Sequence, residues 1–205
     1  FTALRDHGIA AEAAMLVATA GINTHRGAIF SLGLLVAAAA ERRRVHGHAV
    51  SGAQVCLAVQ QWNDALIAAP LDPHSPGQRA RARHGVCGVR EQAAAGYPVL
   101  RELALPALRH ALARGLPRDA ALCQTLMQLV AQVDDLNLLH RGGTEGLRWA
   151  QQQAATFLSA GGAFAPDWRV RLQSIGDAFV RRRLSPGGSA DLLACAWFLL
   201  QQEGA

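Results

Sequence analysis

Apolar residues recur at three- and four-residue spacing along most of the chain, the period of an amphipathic helix rather than a strand. Ile9, Ala13, Leu16 and Val17 form one face of a helix over Thr2 to Ala20. A second helix runs from Asn23 to Ala40. It is polar at its start, apolar from Leu32 onward, and closed by Glu41-Arg42-Arg43-Arg44, cations where the helix dipole favours them. His46-Gly47-His48 is a turn, and Ser51 caps a third helix, Gly52 to Ala68, with Val55, Leu57, Val59, Trp62 and Leu66 as its apolar positions. Pro70 to Gly77 is a loop by its breakers, and Arg79 to Gly85, with alternating Arg, is a solvated segment. Pro106 makes Val99 to Ala113 either two helices or one kinked helix. Further helices run from Pro117 through Leu122, Leu126, Leu129 and Val130 to Val133, from Thr144 as cap to Ala160, and from Pro166 or Asp167 to Arg181-Arg182-Arg183. The last runs from Ser185 to Leu200. These make about nine helices and no strand, so the pattern predicts a single-domain all-α helical bundle over residues 1–205.

Composition sharpens that picture. At 51% hydrophobic the chain can bury a core, and its scarcity of aromatic and β-branched residues argues against a sheet. Every basic residue is Arg, which excludes a lysine Schiff base and a lysine-bearing P-loop. The net charge of +5 is compatible with nucleotides, phosphorylated cofactors or nucleic acid. Cys56, Cys87, Cys123 and Cys195 lie far apart with no metal-ligand spacing and read as reduced thiols of a cytoplasmic protein. No apolar run is long enough to span a membrane. The start at Phe1, without Met or a signal pattern, leads us to expect that the native chain begins earlier.

Three polar, glycine-marked segments interrupt the bundle. In Asn23-Thr24-His25-Arg26-Gly27, Asn23, Arg26, Gly27 and Phe30 share a helical face, Arg26 offers a planar cation for phosphate, and Gly27 permits close approach. The alternative is a start capped by Asn23 or Thr24 with Arg26 in solvent. In Asp134-Asp135-Leu136-Asn137 through Arg141-Gly142-Gly143, two carboxylates sit at a helix C-terminus, against the dipole, so a divalent cation or an arginine should compensate them. In Ser185-Pro186-Gly187-Gly188-Ser189, a Ser cap, a first-turn Pro and two glycines make a helix start suited to an anion, with Arg181 to Arg183 beside it. A fourth segment, Arg90-Glu91-Gln92-Ala93 between glycines, is shaped rather than a free linker. Carboxylates, arginines and opened helix starts suit a triphosphate with its metal better than a nucleic-acid duplex, since no basic stripe or aromatic platform is visible.

Asn23-Thr24-His25-Arg26-Gly27-Ala28-Ile29-Phe30-Ser31-Leu32-Gly33, Asp134-Asp135-Leu136-Asn137 with Arg141-Gly142-Gly143, and Ser185 through Ala194 resemble the triphosphoribosyl-dephospho-CoA synthase family, in the right order and over nearly the whole chain. The wording around Leu138-Leu139-His140-Arg141 is closer to the malonate decarboxylase branch than to the citrate lyase branch. The resemblance implies an all-helical enzyme that joins ATP to 3′-dephospho-CoA with release of adenine. Its product would pass to a carrier-protein prosthetic-group transferase. It implies Mg²⁺, no nucleic-acid or membrane partner, and leaves a homodimer open. Family members commonly carry Lys at Arg26, Arg-Gly-Glu-Ala at Arg90 to Ala93 and Thr at Leu136, and have an N-terminal motif absent here.

The expected roles follow from the resemblance. Asn23, Thr24, Arg26, Gly27, Arg90, Asn137, Arg141, Gly142, Gly143, Ser185, Gly187, Gly188 and Ser189 would bind nucleotide. Asp134 and Asp135 would hold Mg²⁺, Asp135 or Asp191 would take the proton of the attacking hydroxyl, and His25 would meet the leaving base or a phosphate. Two other classes remain: a helical nucleotide or ADP-ribose hydrolase, and a non-catalytic helical nucleic-acid-binding protein.

Overall fold

A computed structural model describes residues 1–68, 81, 83 and 85–204. The described residues are helical from end to end, without a strand, as the periodicity predicts. The loop expected over Pro70 to Gly77, and most of the Arg79 to Gly85 segment, lie outside the described residues.

Helix α1 (Thr2–Ala18) buries none of its residues and leans mainly on α2 (Arg26–His46). α2 buries Ala28, Ser31, Leu34, Leu35 and Ala38, one face at helical spacing. It starts three residues later than Asn23 because residues 24 and 25 form a bend. The Asn23 side-chain Oδ1 accepts the first helical N–H, that of Arg26, at 3.1 Å. It continues past the arginines to His46 and stops at Gly47, whose φ of 75° is the left-handed turn that ends a helix. A capping box of Ser51 and Gln54 opens α3 (Gly52–Ala58), which runs through a 3₁₀ turn (Val59–Trp62) into α4 (Asn63–Ala68). After α5 (Val89–Ala94), a π turn (Leu100–Ala104) leads directly into α6 (Leu105–Ala113). Pro106 has no N–H for a helical bond, and the wider π turn before it absorbs the mismatch, so this is one run rather than two helices.

α7 (Arg118–Gln132) is followed by α8 (Leu136–Ser159), a 3₁₀ turn (Gly162–Phe164), α9 (Trp168–Arg181) and α10 (Gly187–Glu203). Two expectations are corrected here. α8 begins at Leu136, not at Thr144, because the Asp135 carboxylate accepts the N–H groups of Asn137 and Leu138 and caps it. Gly143 only kinks it, at φ 59° and ψ −163°. Ser185 does not cap α10. Pro186 occupies the cap position, and no side chain of that residue satisfies the turn.

α10 is the central element, packed against α2, α3, α6, α7 and α8. Leu35, Val55, Leu100, Leu108, Leu129 and Leu199 fill the core around it. Each such side chain contributes roughly 1.5–3 kcal/mol by burial, which is why α10 is held on every side. A second core, with Val130, Leu138, Phe157, Trp168 and Phe179, lies among α7, α8 and α9. Between the two cores, the N-terminal ends of α2, α5, α8 and α10 turn toward one another.

Candidate active site

Those four helix starts surround a cavity of about 470 Å³, the size range of a small-molecule site. Asn23, Thr24, Arg26, Gly27 and Phe30 line it from α2, and Arg90 and Glu91 from α5. α8 contributes Leu136, Asn137, His140 and Arg141, and α10 contributes Ser185, Gly187, Gly188 and Asp191. Residues more than 160 positions apart therefore share one wall, and all three glycine-marked segments meet there.

The approach of α10 to its neighbours depends on glycines. A Cβ at Gly27 would lie 2.2 Å from Asp191 Oδ2, so the Asp191 carboxylate rests directly on the α2 backbone. A Cβ at Gly187 would lie 2.1 Å from Asn137 Nδ2. One and a half turns along α8, Leu184 fits into a notch at Gly142 and Gly146, where a Cβ on Gly142 would lie 2.6 Å from its Cδ2. Gly142 and Gly143 thus seat a buried leucine and kink a helix. They stand off the cavity wall on which a nucleotide role was expected of them.

The cavity lining carries four arginines, Arg26, Arg81, Arg90 and Arg141, against three carboxyl groups, Glu12, Glu91 and Asp191. Arg26 Nε pairs with Glu12 Oε2 at 2.7 Å, and Arg81 with Glu91 at 2.6 Å. Glu91 also accepts the Gly88 N–H at 2.9 Å and so caps α5. Asp191 is half-buried, and its carboxyl is pushed up to about 6. Burial is the main cause and the Asp135 charge adds to it, while His25 opposes them. A carboxylate titrating there is suited to taking a proton from a hydroxyl near neutral pH.

Other expected residues fall outside the lining. His25 is exposed, its Nδ1 2.7 Å from Thr24 Oγ1, and it reaches Asp191 only through its charge. Asp134 is exposed in the break between α7 and α8, so it does not share a helical face with Asn137. Asp135 is 1% exposed and sits behind Gly188. Its Oδ1 accepts two N–H groups of α8, and its Oδ2 accepts the Ser189 N–H at 2.8 Å and the Ser189 hydroxyl at 2.9 Å. With its lone pairs so engaged, Asp135 does not fit the Mg²⁺ expected of it. Nor does its carboxylate oppose a dipole, since it lies at two helix N-termini, where an anion is favoured. No group of three metal-capable side chains occurs among the described residues, the histidine turn at His46 and His48 included. Arg182 stacks over Trp149 at 4.5 Å instead of flanking the α10 start.

Glu12, Arg81, Glu91 and His140 line the cavity without having been singled out as site residues. Glu12 is one of two acids in the alanine-rich α1, and His140 precedes Arg141. Neither signal distinguishes a cavity residue from a solvated one before the fold is known.

A family model described as "ATP:dephospho-CoA triphosphoribosyl transferase" (CitG) matches residues 2–205. A protein of Citrobacter koseri named "Probable 2-(5''-triphosphoribosyl)-3'-dephosphocoenzyme-A synthase" is 43% identical over 202 residues, covering 97% of this chain and 67% of the relative. A protein of Salmonella choleraesuis, named as synthase 1 of the same kind, is 40% identical over 201 residues, covering 96% and 66%. The chain thus spans about two thirds of the length of the curated relatives it matches. No solved structure matches it.

Proposed function

The chain belongs to the ATP:dephospho-CoA triphosphoribosyl transferase family, and we propose that it makes 2′-(5″-triphosphoribosyl)-3′-dephospho-CoA from ATP and 3′-dephospho-CoA. The observation that carries the reading is the single cavity on which residues 23–30, 88–91, 136–141 and 185–191 converge. Arg26 and Arg90 lie in the first turns of α2 and α5, and Arg141 lies in the second turn of α8, so guanidinium groups meet helix N-termini on one wall, the arrangement that suits an anchored phosphate chain.

In this reading Arg26, Arg90 and Arg141, with the amides of the Gly187–Gly188 turn, hold the triphosphate. The ribose of ATP then presents its anomeric carbon to Asp191. Asp191 takes the proton from the 2′-hydroxyl of dephospho-CoA as its oxygen bonds to that carbon. The bond to adenine N9 breaks with its electron pair staying on the base, the base takes up a proton from water as it leaves as neutral adenine, and the transition state has oxocarbenium character. Mg²⁺ enters as the counter-ion of the triphosphate, and no step is assigned to it. The product goes to a cytoplasmic carrier-protein transferase, in the malonate decarboxylase branch.

The test is incubation of the protein with ATP, Mg²⁺ and dephospho-CoA, followed by mass spectrometry. Free adenine and a triphosphorylated CoA species, both absent without the acceptor, are expected. Adenine released without dephospho-CoA would make the protein a hydrolase. Salt-dependent nucleic-acid binding with no ATP binding would remove the enzyme reading altogether.

A further inference from the structure

We propose that Asp135 is a positioning residue: its carboxylate fastens the first turn of α8 to the first turn of α10 and so sets the cavity wall that receives the triphosphate. The inference rests on the triphosphate reading above and replaces the metal-ligand and proton-acceptor roles expected of this side chain.

Its geometry is that of a staple. Oδ1 takes the N–H groups of Asn137 at 2.8 Å and Leu138 at 3.3 Å, both in the first turn of α8. Oδ2 takes the N–H and hydroxyl of Ser189, in the first turn of α10 and 54 residues away. Both residues are buried, Asp135 to 1% and Ser189 to 0% exposure. A carboxylate has about four acceptor directions, and these bonds fill them. One anion thus caps two helices whose positive ends face each other, and it offsets a repulsion that would otherwise splay them.

The glycines follow from the same contact. A Cβ on Gly188 would stand 3.2 Å from Asp135 Cγ, so the α10 turn closes on the carboxylate only where no side chain intervenes. Beside it, Asn137 lies across Gly187. Asn137, Gly187 and Gly188 line the cavity, whereas Asp135 and Ser189 stand one layer behind. A substrate hydroxyl or a metal ion would have to pass Gly188 and displace protein donors to reach Asp135. Leu184 in its Gly142–Gly146 notch anchors the other end of residues 185–187, so the strand of chain leading into α10 is held at two points.

The test uses Ser189→Ala, which removes one donor from the staple, and Asp135→Asn, which turns an acceptor toward a donor. Hydrogen exchange reads the staple itself. In Ser189→Ala the first turns of α8 and α10 should lose protection together, with α9 unchanged, and acceleration confined to α10 would overturn the proposal. Calorimetric titration of ATP and of tripolyphosphate reads the wall. Both ligands should bind at least about tenfold more weakly to each folded variant, with the half-saturating Mg²⁺ concentration unchanged. A raised Mg²⁺ requirement, with full ATP affinity restored at saturating Mg²⁺, would make Asp135 a metal ligand instead. Unchanged affinity in a folded variant would reduce it to a structural cap. Should Asp135→Asn fail to fold, Ser189→Ala alone decides. A native protein that binds neither ligand overturns the triphosphate reading, and the positioning role falls with it. Native binding with no adenine release leaves the wall intact and removes only the proposed reaction.

Discussion

Replacing Gly27 with Ala separates the proposed chemistry from the fold. The new Cβ would stand 2.2 Å from Asp191 Oδ2, where ordinary contact begins at 3.4 Å, so the oxygen must retreat by 3.4 − 2.2 = 1.2 Å. The Asp191 carboxylate can do this by turning about its side-chain torsions, at a cost of about 0.5–1.5 kcal/mol. Ala is favoured over Gly in a helix by up to about 1 kcal/mol. The two effects oppose each other, so stability should change by no more than about 1 kcal/mol, a shift of roughly 2–4 °C in the melting temperature. Catalysis has no such compensation. A proton acceptor displaced by this distance costs on the order of a hundredfold in rate. The assay pairs initial rates of adenine release, with ATP and dephospho-CoA present, with a thermal melt. A near-native melt with turnover down about a hundredfold is the expected result. If Gly27 acts only through Asp191, adding Gly27→Ala to Asp191→Ala should cost nothing further. Native turnover in Gly27→Ala would refute the claim that the seat of Asp191 on α2 matters to the reaction.

The remaining predictions concern pH and packing. Because Asp191 must be ionised to accept a proton and titrates at about 6, kcat/KM should fall as pH drops below that value, and Asp191→Asn should leave a low, flat profile. For stability the sign is opposite: a carboxyl raised from 3.8 to about 6 favours the folded state when protonated, and that contribution is lost as pH rises through about 6. Asp191→Asn should therefore be the more stable protein at pH 8, by on the order of 1 kcal/mol after solvent screening, with the gap closed at pH 4 in urea unfolding. Gly188→Ala meets Asp135, whose hydrogen bonds prevent retreat, and should lower the unfolding free energy by about 1–3 kcal/mol, unlike Gly27→Ala. Gln124 Oε1 accepts the buried Ala163 N–H at 2.8 Å, and Gln124→Ala should cost about 1–3 kcal/mol by the same measurement.

Periodicity along the chain determined the helical class, because a helix carries its 3.6-residue repeat into the apolar positions regardless of what packs against them. The segments around Asn23, Asn137 and Gly187 were also legible, since polar residues beside glycine within an apolar run have no local reason to be there. The partners of those segments were not legible. Asp134 and Asp135 are adjacent and chemically identical, yet one is in solvent while the other caps α8 and, through Ser189, joins it to α10, a long-range link that only the packing supplies. Gly142 and Gly187 look alike as glycines, but the first makes room for Leu184 and the second for Asn137 on the cavity wall. Glu12 becomes a partner of Arg26 only because α1 folds back along α2. Local spacing encodes which face of a helix is apolar; which polar groups meet depends on how faces from distant helices pack, and that is settled only when the chain closes around α10.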